Sequence, residues 1–117
     1  MALASDRLSS GVTIKMLRAG NSDTYPTTSQ MIAVHYDAYL PNGKRWDSSR
    51  QRGHPLRFRL GDGQVIKGLD DGVAQLSVGA RARISIPPEQ AYGERGFPGL
   101  VPPNTSVDFD LELLEIV

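Results

Sequence analysis

Cysteine is absent from the 117 residues, which excludes disulfides, thiol nucleophiles, iron–sulfur clusters and zinc held by thiolates. Histidine is nearly as scarce. His35 and His54 are the only two, no spacing to carboxylates makes a catalytic metal site, and both read as surface or strand-face side chains. Net charge is missing too: 13 Lys plus Arg offset 13 Asp plus Glu. Without a positive field to hold a phosphate backbone, nucleic acid is not an expected partner. The opening stretch MALASDRLSSG has Asp6 and Arg7 where an apolar run would stand, so no signal peptide, spanning helix or membrane partner is expected, and the expected location is cytoplasmic. The sequon at Asn104, Thr105 and Ser106 is accordingly expected to stay unmodified. Neither G-x-S-x-G nor G-x4-G-K-[ST] occurs, and Gly61, Gly63 and Gly68 miss the dinucleotide spacing and read as a turn. Any enzymatic chemistry is expected to be non-covalent, with no metal and no cofactor.

Apolar material is sufficient, at 39% hydrophobic against 22% charged residues, for one compact domain and too plentiful for a disordered chain. Residues 1–10 are small, polar and aperiodic and read as a flexible leader, with the domain over 11–117. Val12, Ile14 and Met16 alternate with Thr13, Lys15 and Leu17, the period of a half-buried strand. Ile32, Val34, Tyr36, Ala38 and Leu40 form one face of a longer strand, opposite Met31, Ala33, His35, Asp37 and Tyr39. Pro41, Asn42 and Gly43 signal a reversal. Residues 46–55 read as a loop or bulged segment, and Leu56, Phe58 and Leu60 resume the alternation. Ile66, Leu69, Val73 and Leu76 have helical spacing, but Gly68 and Gly72 each cost about 1 kcal/mol relative to Ala, so this helix needs a sheet to pack on. Ala82, Ile84 and Ile86 mark a strand closed by Pro87 and Pro88. A Gly- and Pro-rich loop over 89–105 has a length usually associated with function. Val107, Phe109, Leu111 and Leu113 alternate cleanly before the phase shifts at Leu114 and Ile116, as a bulge would require. The sum is an α+β fold of five or six mostly antiparallel strands around one short helix. Balanced charge and the lack of a long apolar surface segment make a monomer the expected state.

Tyr36, Phe58 and Phe109 project inward from three strands and, with Trp46, Val65, Ile66, Leu69 and Tyr92, can line a cavity. On the residues alone, plain core is the commoner meaning of such a pattern. Asp47 and Arg52 likewise read as a loop ion pair.

Three blocks change the weighting: VHYDAYLPNGKRWDSSRQR from Val34, VIKGLDDGVAQLSVG from Val65 and AYGERGFPGLVPPNTSVDFDLELL from Ala91. Together they resemble FKBP-type peptidyl-prolyl isomerases from about Gly11 to the C-terminus. The resemblance implies a twisted antiparallel sheet wrapped around a short helix and a pocket that isomerises Xaa-Pro bonds in proline-containing peptides and proteins and takes the macrolides tacrolimus and rapamycin. It implies Tyr36, Trp46, Leu56, Phe58, Gln64, Val65, Ile66, Leu69 and Phe109 as walls and floor. Asp47 would stand at the twisting amide, positioned by Arg52 and Tyr36, and Tyr92 would donate a hydrogen bond to a bound carbonyl. Phe97, Leu100 and Val101 would form the opposite lip. Leu69 and Leu56 depart from the family pattern, in which a tryptophan and a phenylalanine are usual, and Phe97 replaces a frequent histidine. The smaller floor and wall are expected to weaken macrolide binding by about 1 to 2 kcal/mol. A non-catalytic module that docks a partner through the same pocket and the 89–105 loop is the alternative.

Overall fold

Strands form in this chain where alternation gives one face to a common core and the other to water. The computed structural model describes residues 5–117. In chain order the elements are β1 (Ser5–Arg7), β2 (Thr13–Arg18), β3 (Met31–Tyr39), β4 (Arg45–Ser48), α1 (Ser49–Arg52), β5 (Leu56–Arg59), α2 (Lys67–Val73), β6 (Arg81–Ile86) and β7 (Val107–Ile116). They build a seven-stranded sheet ordered β1-β2-β6-β7-β3-β4, with β5 also paired to β3. Every pairing is antiparallel. On one edge of β3, β5 pairs with its first half through Ile32↔Phe58 and β4 pairs with its second half through Asp37↔Ser48. On the other edge, β3 registers with β7, skipping one residue between Ala33↔Glu115 and Val34↔Leu113. Leu114 is therefore the bulged residue that the phase shift announced.

The core joins β3 (Ile32, Val34, Tyr36), β6 (Ile84, Ile86) and β7 (Phe109, Leu111, Leu113) to Leu69, Val73 and Leu76 of α2 and the turn after it, all buried. The two glycines of α2 are what allow this contact. A Cβ on Gly68 would come within 2.4 Å of Ile86 Cγ2, and one on Gly72 within 2.8 Å of Ile84 Cγ2. The helix thus accepts poor propensity in exchange for close approach to β6. Among the described residues no helix is long and apolar enough to cross a membrane.

The structure corrects the sequence reading in three places. Ser5–Arg7, expected to belong to a flexible leader, pairs with β2 as β1, and Leu8 packs on the core. Three residues are too few for a periodicity to register. Residues 1–4 of that leader lie outside the described residues. The segment over 46–55, expected as loop or bulge, contains part of β4 and all of α1. These two strands raise the sheet to seven. Lastly, Asp37, on the face of β3 opposite Tyr36, is buried as well, because Arg50 of α1 lies against it, with its Nη1 at 2.7 Å from the carboxylate.

Candidate active site

Tyr36 is held at the centre of β3 by bonds on both sides of its backbone and at its hydroxyl. Four residues suffice for α1 because Ser48 caps it, its Oγ accepting from Gln51 N at 3.1 Å, and Gly53 closes it at φ 84°. The fully buried Ser49 stitches this turn to β3: its Oγ accepts from Tyr36 N at 2.7 Å and lies 2.9 Å from His35 Nδ1. The result is a fixed entry and exit for α1, which sets Asp47 before it and Arg52 at its end around the Tyr36 hydroxyl.

Those groups close a triangle. Tyr36 Oη donates to Asp47 Oδ2 at 2.6 Å, Arg52 Nη2 donates to Tyr36 Oη at 2.9 Å, and Arg52 Nη1 donates to Asp47 Oδ1. Ser48 N adds a bond to Asp47 Oδ1 at 2.9 Å. Burial alone would push the Asp47 carboxyl up, but the hydroxyl and guanidinium bonds hold it below the usual carboxylate range. Tyr36 moves the opposite way, raised by burial and by its bond to the carboxylate. Asp47 is thus a fixed negative charge, and Arg52 is more than a surface partner because it ties both other members together.

Beside the triangle lies a pocket of about 210 Å³. Tyr36 and Phe109 supply one side from the sheet, with ring centroids 5.6 Å apart. Trp46, Asp47 and Leu56 come from β4 and β5, Gln64, Val65 and Ile66 from the approach to α2, Leu69 from its first turn, and Tyr92 from the long loop. Trp46 stands edge-on to both Tyr92 (5.8 Å) and Phe109 (6.1 Å), a geometry that aromatic quadrupoles favour. The Tyr92 hydroxyl takes no part in the triangle, and burial, with the nearby Tyr36 and Asp47, pushes its pKa up to about 12. It stays a neutral donor throughout the physiological range. A larger hollow of about 520 Å³ lies elsewhere, lined by Leu8, Thr28, Asp70, Gln75 and their neighbours. It contains no aromatic side chain. Among the described residues no three metal-ligating side chains converge.

Every residue that lines the pocket belongs to the expected set, and of the other expected residues Phe58, Arg52 and Phe97 lie around it. Phe58 is buried behind the wall, and Arg52 acts through the triangle. Phe97 closes on the mouth, 5.3 Å from Tyr92 and 6.2 Å from Trp46. Leu100 and Val101 are not beside it. They line a separate groove, because the bridge between Phe97 and Val101 folds residues 97–101 into a turn with two faces. Sequence reading also missed Asp37, Ser48, Ser49 and Arg50, which anchor α1 behind the site. The signal for Ser48, Ser49 and Arg50 was present in the DSSR stretch from Asp47, whose hydroxyls suit a short helix start.

A family model described as FKBP-type peptidyl-prolyl cis-trans isomerase matches residues 22–114. FK506-binding protein 1 of Debaryomyces hansenii is 50% identical over 103 residues, covering 88% of this chain and 92% of that protein. Peptidyl-prolyl cis-trans isomerase Fkbp12 of Drosophila melanogaster is 48% identical over 106 residues, covering 91% and 98%. The crystal structure of AtFKBP13 matches with a TM-score of 0.89 at 35% identity, covering 97% of this chain and 99% of that one. The chain belongs to the FKBP-type peptidyl-prolyl cis-trans isomerase family and is an enzyme of that class.

Proposed function

We propose that the 210 Å³ pocket accelerates rotation about Xaa-Pro bonds in peptides and folding proteins by stabilising a twisted amide without covalent chemistry. Resonance sets the barrier at about 18 to 20 kcal/mol. In the twisted state conjugation is lost and the carbonyl oxygen carries less negative charge, so a dry, apolar wall favours that state relative to water. Removing about 6 kcal/mol brings tens of seconds to about milliseconds. Leu69, Val65, Ile66 and Phe109 hold the prolyl ring, Tyr92 donates to a carbonyl, and Asp47 presents its fixed charge at the rim. The observation that carries this reading is the convergence of an aromatic pocket, a neutral hydroxyl donor and an anchored carboxylate.

The same pocket is proposed to bind tacrolimus and rapamycin. The relatives named for binding FK506 support this, while Leu69 and Leu56 offer less flat surface than aromatic rings would. Trp46, the only tryptophan, lines the pocket and reports on occupancy. Titration with either macrolide should change its fluorescence, and a prolyl peptide should compete. An unchanged spectrum, with no inhibition of isomerisation, would contradict the macrolide part of the proposal.

A further inference from the structure

The turn at the tip of the long loop has a second face that the catalytic pocket does not use. Phe97 N donates to Val101 O and Val101 N to Phe97 O, both at 2.8 Å, so the turn is clamped across its base. Gly96 permits this clamp, since at φ +67° an added Cβ would meet Val101 O at 2.4 Å. Phe97 leans onto Trp46 and Tyr92. Leu100 is 42% exposed and joins Leu40, Pro98 and Pro102 in a groove of about 450 Å³ on the other side.

Lys44 and Arg95 border this groove, and no Asp or Glu lines it. Among the described residues neither cation forms an ion pair, whereas Arg18, Arg50, Arg52, Arg81 and Arg83 each lie within reach of a carboxylate. In a chain of zero formal charge, an apolar floor with two uncompensated cations is a local positive site. It complements an apolar side chain flanked by carboxylates.

We propose that the groove is a subsite for the client polypeptide: it takes an extended segment with an apolar residue flanked by Asp or Glu while the client's proline occupies the pocket. This rests on the isomerase reading above. One clamped turn touches both cavities, with Phe97 on Trp46 and Tyr92 and Leu100 in the groove, and an extended client advances about 3.3 Å per residue across it. Contacts remote from the twisting amide act equally on ground and transition states, so they lower KM and leave kcat unchanged.

The test uses peptides sharing the core Ala-Leu-Pro-Phe: bare, extended by Asp-Leu-Glu, or extended by Asn-Leu-Gln, with the extension before the core in one set and after it in another. Affinity is read from amide shifts of labelled protein, and isomerisation from exchange between cis and trans signals. In at least one placement the acidic peptide should bind about threefold to tenfold tighter than its amide twin, the range set by two exposed ion pairs, with shifts at Gly99 and Leu100. High salt should shrink the gain, and a Lys44→Ala plus Arg95→Ala variant should abolish it while isomerising the bare peptide normally. Equal affinity of the acidic and amide peptides in both placements, or a gain that survives in the variant, would overturn the proposal. The bare peptide reports on the pocket alone and the acid-against-amide comparison on the groove, so failure of one reading is distinguishable from failure of the other.

Discussion

Two carboxylates on the β3–β4 ribbon have the same kinds of partner and opposite surroundings. Asp47 is bound by the Tyr36 hydroxyl and Arg52, and Asp37 by the Ser48 hydroxyl and Arg50. Burial pushes both carboxyls up, and in both the hydroxyl and guanidinium bonds outweigh it and lower the pKa. Asp47 opens onto the aromatic pocket, whereas Asp37 is sealed beneath α1, with Arg45 3.7 Å away. A perturbed carboxylate does not by itself mark a catalytic site; an adjacent cavity with a place for a reacting group does.

The largest effect expected from breaking this comparison is structural. Asp37→Ala removes the acceptor shared by Arg50 and Ser48, leaving Arg50 the longer contacts to the Asp110 carbonyl at 3.4 Å and Glu112 at 3.5 Å, and should cost about 2 kcal/mol of stability in urea unfolding. Asp47→Ala removes a half-exposed pair and should cost about 1 kcal/mol or less, yet lower kcat/KM about tenfold, equivalent to about 1.4 kcal/mol in the barrier. Equal stability losses in the two variants would erase the distinction between anchor and site.

The pocket side can be sharpened by restoring its floor. Leu69→Trp should tighten rapamycin binding by about fivefold to thirtyfold, the equivalent of about 1 to 2 kcal/mol, while altering peptide isomerisation less. Unchanged affinity in a calorimetric titration would show that the floor is not where affinity is lost.

The smallest effect is the acid response. Because both carboxyls titrate lower in the folded state, their stabilisation is fully present above the unfolded value of about 3.9 and is lost as pH falls through the folded values. Thermal stability should therefore be level near neutrality and fall below about pH 4. Asp37→Asn should flatten that fall more than Asp47→Asn, since Asp37 is the less exposed of the two. Tyr92 has the reverse sign: its contribution holds below the unfolded value of about 10 and disappears as pH rises through about 12.

The same contrast explains what could be read from the chain. Alternation placed β2, β3, β5, β6 and β7 because each meets a large core, and the family blocks contain every residue that lines the pocket except Leu56 and Gln64, which stand between the first two blocks. Ser5–Arg7 escaped because a three-residue edge strand carries no period. The helix α1 escaped because it depends on a cap from Ser48, a left-handed Gly53 and a tertiary bond from Ser49. Leu100 and Val101 were expected at the lip from the family resemblance, and the clamped turn sets them in the neighbouring groove instead of the pocket lining.

The most direct test of the account is catalysed isomerisation of a short Xaa-Pro-Phe peptide, with and without rapamycin, in the unmodified protein and in a Tyr92→Phe plus Asp47→Ala variant of verified fold. The account predicts rapamycin-sensitive acceleration that falls at least tenfold in the variant. Acceleration that is indifferent to both the drug and the substitutions would place catalysis outside this pocket and contradict it.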